Sequence, residues 1–103
     1  MKQKTGAEKL EEIVNNSEVL CEFLKKMIVE TLRLETITVE EIDSNAPLFK
    51  KGLGLDSIDA LELVVAIEKI FGVTIEDEEV GKKAFASVEA LAKFIRGKYK
   101  SRK

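Results

Sequence analysis

One serine in this chain lies where covalent modification could take place. Residues 52–63 read GLGLDSIDALEL, so two glycines and an acidic residue precede Ser57, and an amphipathic helix follows it. Glycine permits backbone angles that other residues resist, and Asp56 or Ser57 can accept hydrogen bonds from the free N–H groups that open a helix. We therefore expect Ser57 at a rigid corner, at the positive end of a helix dipole, with its hydroxyl directed outward.

The chain offers this hydroxyl no activating group of its own. It has 0 histidines, which excludes a Ser-His-Asp triad, and the GxSxG pattern of a nucleophile elbow is absent around Ser57. The acidic run at 76–79 lacks the alternating ligands and central glycine of an EF-hand, so it is better explained as an acidic helix N-terminus. The sequence thus predicts no catalytic residue and no metal site. If Ser57 reacts, another protein must modify it.

Residues 54–59, GLDSID, followed by LEL at 61–63 and IE at 67–68, resemble the Asp-Ser-Leu region of acyl carrier proteins. The resemblance covers most of the chain, residues 19–95. It implies that a phosphopantetheinyl transferase attaches 4'-phosphopantetheine from coenzyme A to Ser57, with Asp56 as its motif neighbour. The arm's thiol would then hold acyl groups as thioesters for partner enzymes of fatty-acid, lipid or polyketide-type synthesis.

The chain departs from that family pattern in its details. Ile58 stands where leucine is usual, a change of similar volume that should be tolerated. The segment 80–86 is slightly longer than the common pattern, which affects the third helix and not the attachment site. The motif is more similar to specialised carriers than to the housekeeping fatty-acid type.

Other functions remain open at this point. A peptidyl or aryl carrier is the nearest rival, although such domains usually lie inside larger chains and often have a less acidic motif helix, whereas this chain is expected to be freestanding. A non-carrier helical adaptor with an acidic partner-binding face is the alternative from another class. Incorporation of phosphopantetheine separates a carrier from an adaptor.

Charge is distributed unevenly along the chain. The formal net charge is −2, yet residues 56–79 hold 8 acidic and 1 basic side chains, and residues 80–103 hold 1 acidic and 8 basic ones. Since the acidic block contains the helix after Ser57, its surface should attract partners with basic patches. The basic end is short and lacks interleaved aromatic residues, so we expect a solvated helix terminus and no nucleic-acid binding.

The predicted partner-binding surface lies on the helix that follows Ser57. Its acidic members are Asp59, Glu62 and Glu68. Ile58 and Leu63, where exposed, would add apolar contacts at its centre. Together these residues predict a docking surface whose affinity depends on salt.

Length and composition limit the architecture further. A chain of 103 residues fits a single domain. The single cysteine, Cys21, cannot form an internal disulfide and is expected to be a small packing residue. No apolar run is long enough to span a membrane, and no apolar signal region follows the N-terminus. We expect a cytoplasmic monomer.

Apolar spacing predicts an all-α fold. Main helices are expected at 18–34, 56–71 and 88–98, with Ser87 capping the last, Gly72 ending the second, and a short helix at 78–83. The long loop 35–55 would contain an extended segment and a short turn at 39–42. A small antiparallel bundle of three main helices plus one short helix follows.

The same spacing divides the chain into segments. Residues 1–17 are expected to form an N-terminal extension, either with a short helix near 5–14 or disordered, residues 18–98 the carrier domain, and residues 99–103 a basic tail.

The candidate core consists of apolar residues on each predicted element. In the second main helix the inner stripe is expected at Ile58, Leu61, Val64, Val65 and Phe71, with Ile67 in part, and with Leu63 and Ala66 toward the flank. The long loop is expected to be pinned by Ile37, Ile42, Leu48, Phe49 and Leu53. A bundle interior of this kind could also shelter a short acyl chain beside Val64, Ile67, Phe71, Ile75 and Leu91, although close packing is the ordinary state of an interior.

Overall fold

A computed structural model of the protein describes residues 6–35, 37–48 and 56–99, with side chains described from residue 9 onward. Its elements are α1 (Gly6–Asn15), α2 (Ser17–Thr31), a 3-10 turn (Val39–Glu41), α3 (Ser57–Phe71), α4 (Glu78–Ala84) and α5 (Val88–Lys98). No strand occurs in these ranges, so the predicted all-α fold is confirmed. No helix in the described part of the chain has the length and apolar character needed to cross a membrane.

Short polar side chains set the starts of the helices. The Asn16 side chain accepts hydrogen bonds from the backbone N–H groups of Glu18 and Val19 at 3.1 and 3.2 Å, which separates α1 from α2. Ser87 Oγ accepts from the Ala90 N–H at 3.0 Å, which confirms the predicted cap of α5. Because a cap satisfies donors that a helix leaves free, each of these residues fixes where its helix begins.

The two long helices of the bundle end in left-handed residues. Gly72, at φ 69°, ends α3 as predicted. Helix α2 ends at Thr31, three residues earlier than expected, because Arg33 adopts φ 52°. There the N–H of Arg33 bonds to the Glu30 carbonyl and that of Leu34 to the Val29 carbonyl, which is the Schellman pattern. Glycine usually occupies this position, and a side chain there costs about 1 kcal/mol.

The core lies between α2, α3 and α5 and is closed by the long loop. From the loop, Ile42 and Leu48 are buried and Ile37 packs against the core, as predicted. Phe49 and Leu53, the other expected pins, lie outside the described residues. A hydrogen bond of 2.8 Å from the Glu89 N–H to the Ser44 carbonyl fastens the loop to the start of α5.

The predicted inner stripe of α3 is confirmed at Phe71 and in part at Ile67 and Val64, and is wrong at its other three residues. Leu63, Ile67 and Phe71 are buried, whereas Ile58, Leu61 and Val65 are 70%, 64% and 46% exposed. Two apolar stripes run along this helix, and periodicity alone cannot choose between them. The stripe at steps of four residues faces the core, where the Phe71 ring meets the Phe23 ring of α2 edge-on at 5.6 Å.

Helix α1 packs against the bundle. Val14 is 2% exposed and belongs to the core, while Leu10 and Ile13 pack against it in part. The helix contacts both α2 and α5. The N-terminal segment therefore adds apolar surface to the same core, which an isolated helix of ten residues could not retain in water.

Candidate functional site

A capping box positions Ser57. The Asp56 carboxylate accepts hydrogen bonds from the N–H groups of Ile58 and Asp59, both at 3.0 Å. In return, the Asp59 carboxylate accepts from the Asp56 N–H at 3.0 Å. Asp56 is thus the N-cap of α3, and Ser57 is the first residue of the helix. Of the two residues that could have capped this helix, the structure selects Asp56.

The Ser57 side chain remains available. It is exposed, and no residue in the described ranges hydrogen-bonds to its hydroxyl. Its position in the first turn of α3 is one where the helix dipole favours negative charge. A phosphodiester on this oxygen would therefore meet no competing partner among these residues, and the helix dipole would partly offset the repulsion from the nearby Asp56 and Asp59 carboxylates. The geometry at Ser57 is compatible with the covalent arm that the resemblance implies. The preceding glycines, Gly52 and Gly54, lie outside the described residues.

The predicted partner-binding residues do not all reach the surface. Glu62 and Glu68 are exposed, Asp59 is half-buried and shares in the capping box, and Ile58 is 70% exposed. Leu63 is fully buried. Its expected place on the docking surface is therefore corrected, because its side chain belongs to the stripe that packs on the core.

Sequence reasoning missed two exposed apolar residues, Leu61 and Val65. Both line an open groove of about 770 Å³ between the end of α2 and the outer side of α3. The groove is lined by Thr31, Leu32, Arg33, Asp59, Leu61, Glu62, Val65, Ala66 and Lys69. The sequence held no signal that separates Leu61 and Val65 from the buried stripe, because they have the same four-residue spacing as Leu63 and Ile67.

Cys21 is a buried packing residue, as predicted. It is 7% exposed, and its Sγ donates a hydrogen bond to Glu89 Oε2 at 3.6 Å. Burial, followed by the negative charge of Glu89, raises the pKa of the Cys21 thiol above its ordinary value of 9.0. The thiol is therefore protonated at neutral pH and is not a nucleophile. Among the residues that the structure describes, no group of three or more acidic, histidine or cysteine side chains could hold a metal ion.

The residues expected to shelter an acyl chain lie in or beside the core. Ile67, Phe71 and Leu91 are buried, and Val64 and Ile75 pack against the core in part. Whether they separate to admit a chain stays a hypothesis.

A comparison with known families matches most of the chain, including Ser57. The family model described as the phosphopantetheine attachment site matches residues 22–95. The match includes Asp56, Ser57, all of α3 and α4, and most of α2 and α5. No solved structure matches the chain with significance.

Proposed function

The chain belongs to the phosphopantetheine-attachment family, and from that premise we propose that it is an acyl carrier protein with its arm on Ser57. The protein carries covalent 4'-phosphopantetheine and is not itself an enzyme. The observation that supports Ser57 as the attachment residue is its exposed side chain at the start of a capped helix, inside the matched region.

Attachment requires a transferase and coenzyme A. The transferase removes the proton from Ser57 Oγ, which bonds to the phosphorus that bears pantetheine. The pyrophosphate P–O bond breaks, and adenosine 3',5'-bisphosphate leaves. The thiol of the attached arm supplies thioester chemistry for acyl groups. This chain contributes an exposed hydroxyl, and the box formed by Asp56 and Asp59 holds the helix start on which that hydroxyl is presented.

Partner enzymes would dock on the outer side of α3. Glu62 and Glu68 are exposed there, beside the half-buried Asp59. Ile58, with the newly recognised Leu61, supplies exposed apolar surface between these charges. Basic partners would thus gain steering from the acidic residues and contact area from the apolar ones.

The cargo and setting of the carrier are part of the proposal. We assign it to fatty-acid, lipid or polyketide-type synthesis in the cytoplasm, as a monomer, with a peptidyl or aryl carrier as the alternative. We take 18–98 as the carrier domain, 1–17 as an extension and 99–103 as a basic tail. Within the extension, α1 packs on the core.

Loading with an acylated donor tests the function. The protein is incubated with acetyl-coenzyme A and a broad-specificity phosphopantetheinyl transferase, then treated with neutral hydroxylamine. We expect the protein to gain the mass of one acetylated phosphopantetheine arm. Hydroxylamine should then remove only the acetyl group, because it cleaves a thioester and leaves the phosphodiester intact. An adduct that cannot be deacetylated, or one that also forms on Ser57→Ala, would argue against a thioester carrier at this site.

Charge reversal tests the docking surface. Glu62→Lys should raise the KM for the transferase, and the effect should shrink with added salt because Debye screening weakens exposed charge pairs. Glu22→Lys, an equal change on an exposed residue of α2, is the matched control. Equal effects of the two substitutions would show that net charge, and not the surface of α3, controls docking.

A further inference from the structure

Arg33 occupies a backbone position that disfavours it. Its φ of 52° is the one positive value at a non-glycine residue in the described ranges. The Schellman hydrogen bonds use only its backbone, and Leu34 is the neighbour that packs on the core. The Arg33 side chain is exposed and forms no ion pair or hydrogen bond with a carboxylate in the described part of the chain. No contact of the Arg33 side chain in the described residues therefore stabilises the fold, although glycine at this position would relieve backbone strain.

The same side chain lies on the rim of the groove beside α3. On the α3 wall, Asp59 and Glu62 are acidic and Lys69 is basic, while Leu61 and Val65 form the apolar floor. Arg33 places a cation on the opposite wall, at the end of α2. The groove is thus not uniformly acidic, although the segment 56–79 is strongly so.

We propose that Arg33 is a specificity-determining residue of the docking surface. Its positive charge disfavours partners whose contact patch is basic throughout and favours partners that place a carboxylate opposite it. This inference rests on the proposed carrier function. A partner segment with basic groups for Asp59 and Glu62, apolar groups for Leu61, and acidic groups for Arg33 and Lys69 matches the charges of the groove. A patch basic throughout would bring a like charge against Arg33, which is the repulsive element that specific interfaces use. Arginine suits this task because its planar guanidinium binds a carboxylate through two parallel hydrogen bonds.

Transferase kinetics test the rejection of basic patches. With a broad-specificity phosphopantetheinyl transferase that docks through basic residues, Arg33→Gln should lower the KM several-fold and Arg33→Glu should lower it further, with kcat unchanged. Lys26→Gln removes the same charge from an exposed residue of α2 that does not line the groove. No change in the Arg33 variants, or an equal change in Lys26→Gln, would overturn the proposal.

Peptide binding tests the selection of an acidic group and does not depend on modification of Ser57. Two amphipathic helical peptides share a leucine face. One has lysines on both flanks, and the other has lysines on one flank and glutamates on the other. The parent should bind the mixed peptide several-fold more tightly than the all-lysine peptide, and Arg33→Glu should reverse that order. The same order in both proteins would contradict the proposal, while failure of Ser57 to accept the arm would count against the carrier function alone.

Discussion

Asp56 and Asp59 close the start of α3 reciprocally, each carboxylate accepting the backbone N–H of the other residue at 3.0 Å. Both contacts lie in the stretch that flanks Ser57, so the residue expected to accept the arm sits on backbone that is held at each side. Two of the free donors at the helix start are satisfied by this exchange. The acidic residue of the motif thus has a structural role that is independent of any partner.

Replacement of Asp56 tests that role. Asp56→Ala should lower the free energy of unfolding by about 1 kcal/mol, because the N-cap acceptor is lost. Asp56→Asn retains an acceptor oxygen and should keep most of the stability. Urea denaturation followed by circular dichroism measures both. An alanine variant as stable as the parent would show that the box does not hold α3.

A matched pair on α3 tests the orientation of this helix. Leu63 is fully buried and Leu61 is 64% exposed. Leu63→Ala should cost about 3 kcal/mol through lost burial and a residual cavity. Leu61→Ala should cost about 0.5 kcal/mol or less, as exposed substitutions usually do. Urea denaturation measures the free energy of unfolding of both variants. A larger loss for Leu61→Ala than for Leu63→Ala would favour the inner stripe predicted from the sequence.

Relief of strain at Arg33 should stabilise the protein. Arg33→Gly is expected to raise the free energy of unfolding by about 0.5–1 kcal/mol, since glycine adopts a positive φ without a steric penalty. Arg33→Ala keeps the penalty and should leave stability close to that of the parent. If the alanine variant gained as much as the glycine variant, backbone strain would not be the cause.

The buried thiol of Cys21 predicts a dependence of stability on pH. Its pKa is raised in the folded state, so the neutral thiol contributes stability in full below about pH 9, and this contribution is lost as pH rises through the folded pKa. Above about pH 9 the parent should therefore lose stability more steeply than Cys21→Ala. Denaturation series at fixed ionic strength compare the two slopes. Parallel slopes would mean that burial and Glu89 do not disfavour the thiolate.

Much of the fold could be predicted because short-range chemistry fixes it. Ser87 begins α5 through a hydrogen bond to a residue three positions away, and Gly72 ends α3 through its own backbone angles. The last helix was expected at the residues it occupies, and Ile42 and Leu48 pinned the loop as their apolar character indicated.

The orientation of α3, the end of α2 and the groove between them could not be predicted, because they depend on packing between helices that a local sequence pattern does not indicate. The outer side of α3 carries an apolar stripe of its own, so only contact with α2 shows that Leu63 is inside and Leu61 outside. The early end of α2 at Thr31 was missed because Arg33 is not a residue that usually adopts φ > 0. Its place on the groove likewise follows from the meeting of two helices distant in sequence.

Intact mass spectrometry tests the central claim most directly. The parent and Ser57→Ala are incubated with coenzyme A and a broad-specificity phosphopantetheinyl transferase, and circular dichroism confirms that both are folded. We predict a mass gain of one phosphopantetheine in the parent and none in the variant. A folded parent that gains no mass, or a variant that gains as much as the parent, would contradict the assignment of the arm to Ser57.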